Sequence, residues 1–394
     1  MKIGIVAPFN PSEFRAFLYE GQAIPNVNKA ASSVNAIALG LLHAGHEITV
    51  VSSYDEPGPV THIHGDRLTI HLVSSYSRIP KSSSFMRWYM VKRLRKLLSH
   101  HLNEMEVIHA HWTYEYALAS CAFSSEKPVF CTIRDWAPII RRHLIGMKPK
   151  AMWWLVSESL FRQVMNNKQV YFIANSHYIY NLVRSRFPQV RCFIIENPIK
   201  KEFIREDRMD YPFSPVIVSI AQNLAEPRKN FHTLLCAFQT FLKSHSDATL
   251  KLIGQYKDDL ISDWERQGIA RQVEFLGFVN HDELISILDS ASILIHPSLE
   301  ESFGNTLLEG MARRLPVIGG ASSGAVPHVL AHGKYGILCD IRNPEEIAEA
   351  MERALDLPSM RPILDQATAY LKSELTNEII AERHIQLFSN ALKE

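Results

Sequence analysis

Two glutamates eight residues apart, Glu301 and Glu309, bracket the stretch of this sequence best suited to hold a polar ligand. Ahead of them, Ile293-Leu294-Ile295 is a short apolar run of the kind buried on both faces of a parallel sheet. His296 to Glu301 is a polar loop, and from Phe303 the residues Leu307, Leu308, Met311 and Ala312 repeat at helical spacing. Gly304 falls at the expected helix start, where backbone can approach a ligand and free N–H groups point outward. Strand, loop and helix N-terminus together form an anion site, because the unpaired N–H groups and the helix dipole both favour phosphate. Carboxylates accept hydrogen bonds from sugar or ribose hydroxyls. The combination reads as a clamp for a nucleotide sugar, whereas either glutamate alone also fits a solvated helix face.

Two further groups carry chemistry. Pro227-Arg228-Lys229-Asn230 presents two adjacent cations suited to an anionic ligand such as a phosphate. His111 closes the apolar segment that begins at Val107. At the C-terminal end of a parallel strand a histidine faces the crevice where α/β proteins bind ligands. Taken singly, an Arg-Lys pair also fits solvated surface, and a histidine also fits a structural role.

The elements that must position these groups follow from the rest of the chain. Its 394 residues are long for one core and natural for two domains. Hydrophobic content of 46%, charged content of 21% and a net charge of +1 describe a globular protein with no global attraction to nucleic acid. Five scattered cysteines without a C-x-x-C pair point to reduced thiols in a cytosol rather than a disulfide framework or zinc site. Met1 to Pro8 reads as a first strand, too short in its apolar run for a signal peptide. No window approaches the roughly 20 apolar residues of a membrane span. Phe9-Asn10-Pro11-Ser12 follows the first strand, where a dinucleotide fold would place G-x-G-x-x-G.

Ser32 to Ala44 is expected as an amphipathic helix through Val34, Ile37, Ala38 and Leu41, with Ile48 to Val51 as the next strand. Arg78 to Asn103 holds seven Lys or Arg and no acid, with Met86, Tyr89, Met90, Leu94, Leu97 and Leu98 on one helical face. Such a helix fits either a core-facing position or an anionic lipid surface. Lys200 to Pro215 is expected as the linker. Strand-then-glycine units recur at Leu250 to Gly254 and Val273 to Gly277. Helices are expected over Asp282 to Ser290, Pro344 to Leu355 and Asn377 to Leu392, with Ile337 to Cys339 as a last strand.

Pro297, Ser298, Glu301, Phe303 and Gly304, with Glu309 eight residues after Glu301, resemble the donor-binding segment of retaining GT-B glycosyltransferases of family 4. Leu315 to Ile318 resembles the family's following strand and Ser323-Gly324 its next glycine turn. The resemblance extends over nearly the whole chain, through Gly45-His46-Glu47, the His-x-His of His109 and His111, Ala174-Asn175-Ser176 and Glu196-Asn197-Pro198. The chain departs from the pattern at three places. Asn28-Lys29 stands where the family has a Gly-Gly loop, Arg134 of Thr132-Ile133-Arg134-Asp135 stands where it has a histidine, and its upstream arginine falls at Gln222 or Asn223.

The resemblance implies an α/β GT-B fold, two Rossmann-like domains facing across a cleft with the C-terminal helix crossing back to the first domain. Residues 1–200 would bind the acceptor, together with the helix 377–394, and residues 201–376 the donor. It implies a hexosyltransferase that retains anomeric configuration, without metal or other cofactor. His111, Lys229 and Glu301 would serve the chemistry. Arg228, Glu301, Ser302, Phe303, Gly304, Asn305, Thr306 and Glu309 would bind the donor, and Asn28, Lys29, Arg134 and Asp135 would form the acceptor and phosphate loop. Its partners would be a UDP- or GDP-type nucleotide sugar and a glycan or lipid-linked saccharide, in surface polysaccharide synthesis, with no nucleic acid. The expected location is cytoplasmic, with peripheral contact at the inner face of the membrane through residues 78–103 as one reading of the basic helix. Two other functions fit the same pattern: a nucleotide-sugar 2-epimerase of GT-B type, and a sugar-binding relative without catalysis.

Overall fold

The structure is a computed structural model that describes residues 1–25, 27, 31–76, 84–143, 148–208 and 210–394. The chain forms two compact units, Met1–Pro198 with Asn377–Glu394, and Ile199–Thr376. Each is built on one sheet.

In the first unit the strands are Lys2–Val6 (β1), Glu47–Tyr54 (β2), Thr61–His64 (β3), Leu68–Ser74 (β4), Val107–His111 (β5), Val129–Ile133 (β6), Tyr171–Ala174 (β7) and Arg191–Ile194 (β8). Their order is β3-β4-β2-β1-β5-β6-β7-β8, parallel throughout except for the antiparallel pair β3/β4 at one edge. Helices cover the faces, so inner strands such as β5 and β6 are buried at every residue. The second unit contains Val216–Asn223 (β9), Thr249–Gln255 (β10), Val273–Gly277 (β11), Ile293–His296 (β12), Val317–Gly320 (β13) and Ile337–Cys339 (β14). They form an all-parallel sheet in the order β11-β10-β9-β12-β13-β14.

Both sheets reverse direction beside their first strand. The chain builds outward from β1 and then returns to its other side with β5, and it does the same around β9 with β12. Such a reversal opens a crevice at the carboxyl ends of the two central strands, the place where open α/β sheets bind ligands.

The last helix, Asn377–Ala391, belongs to the first unit and lies on the helix Ser32–His43. Gly40 permits this approach, since a Cβ there would stand 2.2 Å from the Asn377 carbonyl oxygen. Ile380, Ala381, His384, Phe388 and Ala391 form its buried stripe.

Two expectations change. Lys200 to Pro215 is no free linker, because its arginines fasten it to the second unit. Arg208 is 4% exposed and donates to the carbonyls of Leu288 (3.2 Å), Asp289 (2.7 Å), Ala291 (2.5 Å) and Arg313 (3.2 Å). The basic stretch near residues 78–103 forms the helix Ser84–His101, and Met86, Met90, Leu94, Leu97 and Leu98 are buried in the core of the first unit. Arg87, expected on the basic side, is buried and paired with Glu115 and Ser157. Of the six residues on the apolar face that a lipid surface would need, five are therefore occupied and Tyr89 is exposed. Among the described residues no helix is long and apolar enough to cross a membrane.

Candidate functional site

In the second unit the strand-loop-helix segment starts at the switch point. His296 ends β12 and is 3% exposed, and the helix begins at Asn305, two residues later than the periodicity suggests. The delay comes from Gly304, whose φ of +95° is a left-handed conformation that a helix cannot contain. The turn at Ser323-Gly324 supports the loop from below. Ala325 donates its N–H to the Glu301 carbonyl at 2.9 Å, and a Cβ on Gly324 would lie 2.3 Å from that oxygen.

Lys229 and Arg228 reach the same place from the turn Pro227–Lys229. Asn230, at φ +59°, ends that turn and opens the helix Phe231–Phe241. Lys229 Nζ donates to Glu301 Oε1, Arg228 Nη1 lies 3.4 Å from the same oxygen, and Arg228 Nη1 also donates to the Glu300 carbonyl at 2.6 Å. His296 Nε2 sits 3.2 Å from Glu301 Oε1, off the direction of an aligned hydrogen bond, so the contact is electrostatic. Its Nδ1 is 2.8 Å from Thr306 Oγ1. Burial would raise the Glu301 carboxyl, but Lys229, Arg228 and His296 outweigh it and hold that group well below the usual carboxylate range. Burial lowers the Lys229 amine, against the pull of Glu301.

Glu309 differs from Glu301 in its partners and in the direction of its pKa shift. It is half-buried on the helix Asn305–Ala312 and has no side-chain partner among the described residues. Burial alone pushes its carboxyl up to about 7. Phe303 packs inward at 3% exposure, while Ser302, Asn305 and Thr306 are only partly buried at the open end of the helix. The structure thus brings Arg228, Lys229, Glu301 and the 302–306 segment together.

The first unit carries its own group at its own switch point. His111 ends β5 fully buried, and Arg134, just beyond β6, donates from Nη2 to His111 Nδ1 at 3.0 Å. Arg134 Nη1 donates to Ser33 Oγ at 2.8 Å and to Asn197 Oδ1. A guanidinium only donates, so His111 Nδ1 must accept. Burial first, then His109 and Arg134, holds the His111 imidazole far below its ordinary pKa, so the ring is neutral. Its single proton therefore sits on Nε2, which has no hydrogen-bond partner among the described residues. The result is a buried N–H donor without an acceptor among the described residues. Trp112, the next residue, stands at φ +60°, backbone strain of the kind that collects at functional sites.

Beside this group lies a cavity of about 370 Å³ lined by Trp112, Tyr114, Tyr116, Trp153 and Trp154, with Arg87 and Asp135 among its polar groups. Tyr114 donates its hydroxyl to Asp135. Asn28 and Lys29 lie outside the described residues.

Residue reasoning overlooked three participants. His296 is the second unit's counterpart of His111, and the same rule, a histidine ending a strand, would have found it. Asn197 and Ser33 hold Arg134 across more than sixty residues of chain, and no local pattern marks that contact.

Two family profiles cover residues 30–369 between them: "Glycosyltransferase Family 4" over residues 30–203 and "Glycosyl transferases group 1" over residues 201–369. The chain belongs to the family 4, group 1 glycosyltransferases. Known proteins are similar to it along most of its length. The glycogen synthase of Mycobacterium tuberculosis is 25% identical over 353 residues, 83% of this chain and 82% of its own. Among solved structures, the sucrose-phosphate synthase of Thermosynechococcus elongatus superposes with a TM-score of 0.76 at 16% identity, covering 99% of this chain and 98% of its own. Anabaena HepE, solved with UDP-glucose, gives 0.68 at 14% identity, with coverage of 98% and 99%. The glycosyltransferase fold is GT-B, and the reaction class is transfer of a sugar.

Proposed function

We propose that this glycosyltransferase moves a hexose from a nucleoside-diphosphate sugar, of UDP or GDP type, to a saccharide or lipid-linked saccharide with retention of configuration and without a metal ion. The observation that carries this reading is the buried meeting of Lys229, Arg228 and Glu301 beside the open N-terminus of the helix Asn305–Ala312. Two cations there suit the diphosphate, and the positive end of the helix dipole adds to them. Glu301 acts as their counterion until the donor arrives, then accepts from a ligand hydroxyl as the phosphates take its place. Glu309, without a partner, accepts from a second hydroxyl, of ribose or sugar.

In the reaction an acceptor hydroxyl attacks the anomeric carbon from the face of the leaving diphosphate. As the carbon–oxygen bond to phosphate breaks, that phosphate oxygen takes the hydroxyl proton. Lys229 and Arg228 stabilise the charge that develops, which is worth most in a water-poor site. His111 contributes its unpaired Nε2–H to a sugar hydroxyl, and Arg134 keeps it in that tautomer. The aromatic cavity of the first unit suits the acceptor, since flat rings pack against sugar faces and the apolar part of a lipid link. That Anabaena HepE is solved with UDP-glucose supports a UDP-type donor.

A thermal-shift screen against UDP, GDP, ADP and their sugar conjugates tests the reading, because a ligand bound only by the folded state raises the melting temperature. A shift with one nucleotide, lost in Glu309→Ala, is expected. No shift with any of them overturns the proposal. An NMR time course with donor alone distinguishes the 2-epimerase, which converts donor in the absence of acceptor. Assay with excess chelator tests the metal-free chemistry, and the anomeric signal of the product tests retention.

A further inference from the structure

At the edge of the first unit's sheet, far from its switch point, three histidines from three elements converge. His62 comes from β3, His71 from β4 and His101 from the end of the helix Ser84–His101. One ring nitrogen of each lies within 4.8 Å of the other two. The His62 and His71 Nδ1 atoms are 2.7 Å apart, and the His71 and His101 rings stack with centroids 3.5 Å apart. His71 is 2% exposed, whereas His62 is open to solvent.

Glu104 organises the cluster. One of its oxygens lies 3.2 Å from His71 Nε2 and the other 2.7 Å from His101 Nδ1. An ionised carboxylate only accepts, so the proton of each neutral ring sits on the nitrogen facing Glu104. The opposite nitrogens, His71 Nδ1 and His101 Nε2, therefore carry lone pairs. A carboxylate behind two imidazoles, fixing tautomer and ring orientation, is the arrangement that supports histidines bound to a metal. His62 Nδ1 donates its proton to His71 Nδ1 in the metal-free cluster; moving that proton to Nε2 of the same ring frees a third lone pair. No net proton is lost in that exchange.

We propose that His62, His71 and His101 form a binding site for a divalent transition cation of the zinc class, with Glu104 behind them. Imidazole nitrogen suits Zn²⁺, Co²⁺, Ni²⁺ and Cu²⁺, and disfavours the hard cations Mg²⁺ and Ca²⁺. Tetrahedral bonds of about 2.0–2.1 Å place ligand nitrogens roughly 3.3 Å apart. Reaching that spacing opens the 2.7 Å contact, closes the wider ones and turns the His101 ring off its stack on His71 so that the lone pairs converge. Solvent fills the fourth position. The ion would join the antiparallel edge of the sheet to the end of the helix Ser84–His101. Three strand spacings separate β4 from β5 in the sheet, roughly 14 Å at about 4.8 Å each, so this site stands apart from His111.

The test is titration of chelator-treated full-length protein with Co²⁺, read by its visible absorption, followed by displacement with Zn²⁺. One equivalent should bind with the intense bands of tetrahedral cobalt, and Zn²⁺ should raise the melting temperature. His62→Ala and His101→Ala should each weaken binding at least tenfold, and Glu104→Gln about 10–100-fold. His245→Ala, in the second unit, should leave binding unchanged. Circular dichroism of each variant establishes that it is folded, and His62 is exposed enough for its replacement to leave the core intact. Absence of stoichiometric binding by the wild type overturns the proposal. So does binding that survives both His62→Ala and His101→Ala.

Discussion

The two units solve the same placement problem and arrive at opposite electrostatics. Each puts a buried histidine at the end of the strand that returns beside the first strand of its sheet, His111 on β5 and His296 on β12. In the first unit the histidine answers to a cation, Arg134, which fixes its tautomer and leaves Nε2–H unpaired. In the second it faces an anion, Glu301, which two cations already neutralise. Equivalent positions in a fold therefore say where a ligand binds and leave its charge to the neighbours. The first unit offers a neutral hydrogen-bond donor, the second two cations gathered on one carboxylate.

Breaking the second cluster should have the largest effect. Glu301→Ala leaves Lys229 largely buried without its ion-pair partner, while Arg228 keeps Glu226, and should cost about 3 kcal/mol of stability, measured by denaturant unfolding. Uracil or guanine nucleotides should restore part of it by supplying the missing charge. An unaltered unfolding midpoint would mean that the cations are not buried together. Lys229→Ala, in contrast, should fold and lose turnover by about 100–1,000-fold in kcat, as expected when a group that stabilises the leaving charge is removed.

The first unit should respond through position rather than charge. Arg134→Met frees His111 to exchange tautomers and should lower kcat up to about 100-fold, an effect of misorientation. Removing the cation also relieves one of the influences that depress the His111 pKa, so the acid limb of the pH–rate profile should move to higher pH. A lower kcat with an unmoved acid limb would separate Arg134 from the protonation of His111.

The smallest effects sharpen the contrast by opposite dependence on pH. His384, buried against His109, has a pKa lowered by burial from 6.5 to about 4. Its neutral form therefore adds stability that is complete above pH 6.5 and lost as pH falls through 4, on the order of 3 kcal/mol in all. The stability deficit of His384→Gln should shrink over that range. Glu309 is raised from 4.5 to about 7, so its contribution is complete below pH 4.5 and lost as pH rises through 7. Glu309→Gln should stabilise the free protein at pH 8 by about 1–2 kcal/mol after allowance for its partial exposure, with no gain at pH 4. Equal gains at both pH values would place that carboxyl at an ordinary pKa.

The fold was legible where periodicity and punctuation agree. The strand at Ile293, the helix Pro344–Leu355 and the final amphipathic helix lie within a residue or two of their expected limits. Less visible were the edge strand β3, four residues of which only Ile63 is strongly apolar, and the helix Leu357–Glu374, which Pro362 interrupts in sequence. Within the site, the frame around Glu301 and Glu309 could be read because it is local. The hold of Arg134 on His111 could not, since it depends on Ser33 and Asn197, brought together only when β5, β6 and the end of the first unit lie side by side. The basic helix shows the reverse failure. Composition marks Arg87 as surface, but burial beside Glu115 gives it a partner and removes it from solvent.

The return of the last helix has a consequence for how the protein is made. The second unit is one uninterrupted segment, Ile199–Thr376, whereas the first needs residues 377–394 to cover His109 and Phe130 with His384 and Phe388. Between synthesis of Pro198 and of Glu394 the ribosome adds 394 − 198 = 196 residues, a delay of about 10–40 s at typical elongation rates. The half made first is thus finished last. Through that interval the nascent chain carries an uncovered apolar face, and that face is where a chaperone should be found bound when translation is arrested before residue 377.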